Sequence, residues 1–219
     1  MRFHDRAHAG RLLAERLRHH AGRPAIVLAL PRGGVPVGFE VARRLGAPLD
    51  VFVVRKLGVP GHKELAMGAI ATGGVRMLND DIVALAGVSE REIEAVTARE
   101  RQELARRERA YRGDRPPPDV HGRTTILVDD GLATGATMRA AAAGVRRLEA
   151  ARVVVAVPAA AAETCELLAG EADEVVCLTT PEPFYAVGLW YEDFSETSDD
   201  EVRRLLDAAR PGTRPAEAV

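Results

Sequence analysis

Thr125-Ile-Leu-Val-Asp-Asp-Gly-Leu-Ala-Thr-Gly-Ala-Thr137 is the stretch that decides the fold. Its first four residues have strand character and run straight into two adjacent carboxylates, Asp129 and Asp130. A small, hydroxyl-rich loop follows, made of Ala133, Thr134, Gly135, Ala136 and Thr137, and residues 138 to 148 read as a helix. Open α/β sheets build ligand sites where buried strands end in polar residues. The backbone N–H groups that open the next helix suit a phosphate. Two carboxylates beside such a cradle suit a ligand with hydroxyls, a phosphate and a metal ion, a description that a sugar phosphate meets.

Outward from this motif, apolar runs of strand length occur at residues 25–30, 49–54, 152–157 and 174–178, with helical stretches between them. Residues 6 to 19 have an amphipathic pattern, with Leu12, Leu13 and Leu17 on one face and Asp5 as cap. Residues 35 to 45 form a second helix that takes Pro36 in its first turn. Strands alternating with helices predict an α/β fold, a mainly parallel sheet flanked by helices with right-handed crossovers. Residues 55 to 65 read as a loop, and residues 66–71 and 75–78 as a hairpin around Thr-Gly-Gly. Ser89 and Glu92 have capping-box spacing ahead of a long charged helix that ends near Gly113. After Thr180 the rhythm breaks, and most of the aromatic residues follow, among them Phe184, Tyr185, Trp190, Tyr191 and Phe194.

At 219 residues and a net charge of −2, the chain is long enough for one large domain and carries no excess charge that calls for nucleic acid or a membrane. No run reaches the roughly 20 apolar residues of a membrane span. The start, Met1-Arg-Phe-His-Asp, lacks an apolar signal region. Cys165 and Cys177 have no metal spacing and no evident disulfide role, so a cytoplasmic, reducing setting is expected. The expected layout is a single domain over residues 1–209 with a core at about 20–179, and a frayed tail at 210–219. The arginine-rich helix at 89–112 has acids at helical spacing, which favours a solvated or oligomer-facing surface, compatible with a homodimer, over RNA binding.

The motif at 125–137 resembles the 13-residue signature of type I phosphoribosyltransferases, which bind 5-phosphoribosyl-1-pyrophosphate (PRPP). The match covers the hydrophobic strand, both acids and the Thr-Gly-Ala-Thr cradle; Gly131 departs from it, since a larger apolar residue is usual there. The resemblance implies a type I core with a small C-terminal hood, formed by residues 180–209 with the N-terminal helix. It also implies Mg²⁺-assisted transfer of a phosphoribosyl group to a nitrogen base or related nucleophile, with release of pyrophosphate. A PRPP-sensing regulator with little turnover is the alternative.

The same resemblance distributes the roles. Asp129 and Asp130 are expected to act in catalysis, binding the ribose hydroxyls and the metal through water or ribose. Ala133, Thr134, Gly135, Ala136 and Thr137 are expected to hold the 5′-phosphate. Arg32, Gly33 and Gly34 follow the first core strand, where the family binds pyrophosphate, and a cis bond between Pro31 and Arg32 is expected. Family members carry a flexible, closing loop at the position of residues 57–65, and Lys56 is the expected catalytic cation; Lys56 and Lys63 are the chain's two lysines. Phe184 and Tyr185 are candidates to stack on a flat base, or else to fill the hood. Ala133 stands where hypoxanthine–guanine-type enzymes place an Asp, which argues against that chemistry. Leu132 to Thr137 match adenine-type enzymes better, although only Glu64 is at hand for their acidic loop residue. The acceptor is left open.

Overall fold

The structure, a computed structural model, describes residues 1–210. In chain order, α1 (Arg6–Arg16) leads through a 3-10 turn (Arg18–His20) to β1 (Ala25–Ala29), α2 (Gly34–Leu45) and β2 (Leu49–Val51). Then come β3 (Val54–Val59), β4 (His62–Ala71), β5 (Val75–Leu78), α3 (Asp80–Ala86) and α4 (Glu90–Arg112). The second half holds β6 (Thr124–Val128), α5 (Ala136–Arg147), β7 (Arg152–Ala159), α6 (Ala162–Ala169), β8 (Glu174–Thr179) and α7 (Asp199–Ala208).

Five strands pair in the order β2-β1-β6-β7-β8, all parallel. Side chains alternate across such a sheet. Val27, Ala29, Ile126, Val128, Val154 and Ala156 face one side, where Val37, Val41 and Leu45 of α2 pack on them. Ile26, Leu28, Leu127, Val153 and Val155 face the other, against Met138, Ala141 and Val145 of α5. Burial of each such aliphatic side chain is worth about 1.5–3 kcal/mol, which is why the runs read as continuously apolar. Asp5 caps α1 by accepting a hydrogen bond from the His8 N–H at 2.6 Å, and the Ser89–Glu92 capping box starts α4.

Three expectations need correction. The segment 55–65 is not a loop but most of an antiparallel hairpin, β3–β4, which with β5 forms a second sheet. Leu57 and Val59 are buried in the core, Gly58 lies at the register shifts, and Gly61 makes the turn at φ 82°. The exposed His62, Lys63 and Glu64 give the hairpin's far arm its loop-like composition. The strand expected at 49–54 is split, because the chain leaves the parallel sheet after Val51 and enters the antiparallel one at Val54. Cys165 and Cys177 are joined in a disulfide. The crossover from α6 lays that helix over β8, so residues 12 apart in sequence meet. The cysteines therefore lend no support to a reducing compartment.

The aromatic segment and the N-terminus hold each other. Phe3 bridges to Tyr191 in parallel register, the Phe3 N–H donates to the Trp190 carbonyl, and the Glu192 N–H donates to the Phe3 carbonyl, both at 2.8 Å. Phe3, Ala9, Ala159 and Tyr191 make a small buried cluster over the carboxyl ends of the strands. Among the described residues no helix is long and apolar enough to cross a membrane. The tail expected to fray lies outside the described residues beyond Arg210.

Candidate active site

Asp129 and Asp130 stand directly after β6, at the carboxyl end of the parallel sheet. The Asp130 N–H donates to Asp129 Oδ1 at 2.9 Å, so the first carboxylate caps the peptide of the second. Burial, then the neighbouring Asp130 charge, raise the pKa of Asp129 well above the ordinary carboxylate value. Burial also raises that of Asp130, opposed by the guanidinium of Arg6. Two carboxylates in this state favour a cationic or hydrogen-bond-donating ligand.

The loop after β1 runs against them. A Cβ built on Gly33 would lie 2.0 Å from Asp130 Oδ2, and one on Gly34 would lie 2.7 Å from the Val128 carbonyl oxygen. Only glycine allows that approach. The Pro31–Arg32 bond is cis, as expected. On the other side, residues 133–137 lead into α5, whose first-turn N–H groups have no intrahelical acceptors. Gly135 takes φ 68°, and a Cβ there would also meet Thr164 Cγ2 at 2.6 Å. Gly131 departs from the family pattern for a spatial reason: a Cβ would lie 2.5 Å from Val187 Cγ1 and 2.9 Å from the Ala159 carbonyl oxygen.

Sequence reasoning missed four residues that complete this arrangement. Arg6 donates from Nε to Asp130 Oδ2 at 2.8 Å and from a terminal nitrogen to the Ser195 carbonyl at 2.6 Å, with its guanidinium 4.0 Å from the centre of the Phe194 ring. The Tyr191 hydroxyl donates to the Asp130 carbonyl at 2.5 Å, and burial with the nearby Asp130 charge raises its pKa. Thr164 donates to the Ala133 carbonyl at 2.6 Å and so fixes the cradle from α6. Glu196 forms an ion pair with Arg32, whose guanidinium also lies 3.8 Å from Asp199. These partners lie far off in sequence; the one local signal is Asp5, whose cap sets Arg6 at the start of α1.

Lys56 lies on β3, paired in register with Ala69, and not on a mobile loop. It lines a cavity of about 660 Å³ between the hairpin and α5, with Glu64, Met77, Ala136, Arg139 and Glu171. The structure thus brings Lys56 to the cradle side; Arg32 does not line this cavity. Among the described residues no ion pair engages Lys56. Phe184 stacks on Trp190, ring centres 6.4 Å apart, within the hood, whereas Tyr185 is 79% exposed.

A parallel sheet with paired carboxylates after one central strand, a glycine loop after its neighbour and a small-residue loop opening the next helix is the arrangement of a phosphoribosyltransferase. Residues 3–188 match the phosphoribosyl transferase domain, and the chain belongs to that family. It is similar to a protein of Mycobacterium tuberculosis (strain H37Rv) provisionally named a phosphoribosyl transferase, at 50% identity over 217 residues. That match covers 99% of this chain and 49% of the relative, so the chain spans about half the length of the curated relatives it matches. The crystal structure of TT1426 from Thermus thermophilus superposes with a TM-score of 0.85 at 48% identity, covering 94% of this chain and 98% of that one.

Proposed function

We propose that the chain binds PRPP with Mg²⁺ and transfers its phosphoribosyl group to a nitrogen nucleophile, releasing pyrophosphate. The observation that carries this reading is the direct packing of the Gly33–Gly34 loop on Asp129 and Asp130, which unites the anion loop and the carboxylates in one site. In this reading the carboxylates hold the ribose hydroxyls, residues 133–137 hold the 5′-phosphate, and Arg32, Gly33 and Gly34 hold the diphosphate.

Mg²⁺, a hard cation that takes oxygen ligands, fits the donor set, because two adjacent carboxylates meet there and Arg6 is the one cation bonded to them among the described residues. When bound, it would neutralise charge growing on the diphosphate. The chain's own part is positioning and electrostatics. The bond from the ribose anomeric carbon to pyrophosphate breaks as the acceptor nitrogen bonds that carbon. Arg6 and Tyr191 fix Asp130, while Arg32 and Lys56 supply positive charge on two sides. Tyr185 offers an exposed ring to a flat acceptor; Phe184 is engaged in the hood.

Incubation with PRPP, Mg²⁺ and a panel of nitrogen bases, scored by pyrophosphate release, tests this reading. Tight PRPP binding without release under any base would favour the alternative, a PRPP-sensing regulator. Lys56→Ala should lower kcat by about tenfold or more with a smaller change in PRPP affinity, if its charge acts mainly on the transition state; a change confined to KM would remove that role. Glu196→Gln frees Arg32 from an exposed pair, since the Glu196 side chain is 76% exposed. PRPP affinity should therefore rise by about two- to fivefold, the worth of a surface pair. Unchanged affinity by calorimetry would show that the Glu196 pair does not hold Arg32 from the ligand.

A further inference from the structure

The opposite end of the parallel sheet carries a second cluster of ligating side chains. His19 and His20 lie in the 3-10 turn after α1, and Glu174 is the first residue of β8. His19 Nε2 is 2.9 Å from Glu174 Oε1, and His20 Nε2 is 3.1 Å from Oε2. One donor atom from each residue falls within 4.8 Å of the other two. Asp129, by contrast, follows the last residue of β6, so the two sites sit at opposite ends of parallel strands.

Ordinary ion pairing does not require this convergence. A single carboxylate already has Arg152 at 3.3 Å from Oε2, yet both imidazoles turn their Nε2 atoms to it. His20 is 2% exposed, and its Nδ1 is buried without a hydrogen-bond partner. The buried ring therefore has one polar atom engaged, and that atom faces the cluster.

We propose that His19 Nε2, His20 Nε2 and a Glu174 carboxylate oxygen bind one divalent transition metal ion of the Zn²⁺ type, apart from the PRPP site. Imidazole nitrogens with one carboxylate are a ligand set that Zn²⁺ takes, in place of the all-oxygen set of Mg²⁺. Tetrahedral ligands about 2.0–2.1 Å from Zn²⁺ stand about 3.4 Å apart. His19 Nε2 lies 2.9 Å from Oε1 and His20 Nε2 lies 3.1 Å from Oε2, so each imidazole stands near that separation from one oxygen of the shared carboxylate. The half-exposed His19 leaves the fourth position open to water. Such an ion ties the turn after α1 to the edge strand β8, so it acts as a staple, and its binding to the folded chain alone raises stability.

The test is calorimetric titration of the tag-free, chelator-treated chain with Zn²⁺, with thermal unfolding and the visible absorption of bound Co²⁺ as parallel readouts. A one-to-one isotherm is expected, with a higher Tm at saturation and tetrahedral Co²⁺ bands. His19→Ala and Glu174→Gln should each weaken Zn²⁺ binding by more than about tenfold. His19→Ala truncates a half-exposed side chain, and Glu174→Gln conserves shape, so both variants should fold without metal. Asp129→Asn should leave Zn²⁺ affinity unchanged, which separates this site from the proposed PRPP site. Absence of saturable binding, or affinity unchanged in both His19→Ala and Glu174→Gln, would overturn the proposal.

Discussion

Asp129→Asn should lower PRPP turnover by about 100-fold or more while raising the melting temperature of the ligand-free protein. The first effect follows from loss of a preorganised negative group where the proposed reading places ribose and metal. The second follows from burial, which with the Asp130 charge raises the pKa of Asp129 and so makes its ionised form costly in the folded state. Asn keeps the shape and can still accept the Asp130 N–H that Asp129 Oδ1 now accepts at 2.9 Å. Each 1 kcal/mol of such relief would move Tm up by about 2–4 °C for a chain of this length.

The pH dependence has a definite sign. A carboxyl whose pKa is higher folded than unfolded binds more protons in the native state between those two values. Ligand-free stability therefore falls as pH rises from the ordinary Asp value, about 3.9, through the raised value, and Asp129→Asn removes that part of the decline. Thermal unfolding of both proteins over this range checks it. A variant that melts lower at neutral pH would mean that Asp129 has a structural partner outside this account.

Gly33→Ala should abolish PRPP binding and destabilise the fold at the same time. The backbone of Gly33, at φ −58°, suits any residue, so the whole effect is spatial. The added methyl would lie 2.0 Å from Asp130 Oδ2 and 2.6 Å from its Cγ. Moving Asp130 aside would disturb its 2.8 Å bond to Arg6. Overpacking of this kind costs about 1–3 kcal/mol, a Tm drop of about 2–12 °C. Calorimetry with PRPP–Mg²⁺ together with a melting curve checks both halves; a variant that melts normally and binds PRPP would show that the loop stands off the carboxylates.

The parallel sheet was legible because its strands are buried on both faces and read as unbroken apolar runs, from Ile26 and Leu28 to Val153 and Val155. The turn at 133–137 into α5 was legible because its residues are contiguous. The β3–β4 hairpin was not: Gly58, Pro60 and Gly61 punctuate it, and His62 to Glu64 are exposed, so composition alone reads loop. Helix α3 went unseen because it is a seven-residue element with no fully buried residue. Arg6 on Asp130 and Glu196 on Arg32 join residues 124 and 164 positions apart, and no local pattern marks such pairs. The same holds for the disulfide, where two cysteines without a motif meet through a crossover.

One site, built on Asp129, Asp130 and the Gly33–Gly34 loop, is proposed to take PRPP with Mg²⁺. Isothermal titration of PRPP into the wild-type chain and the Asp129→Asn/Asp130→Asn double variant, each with and without Mg²⁺, tests it most directly. One saturable site per wild-type chain is expected, dependent on Mg²⁺ and lost in a double variant that still melts cooperatively. No binding to the wild type, or equal PRPP affinity in the double variant, would contradict it.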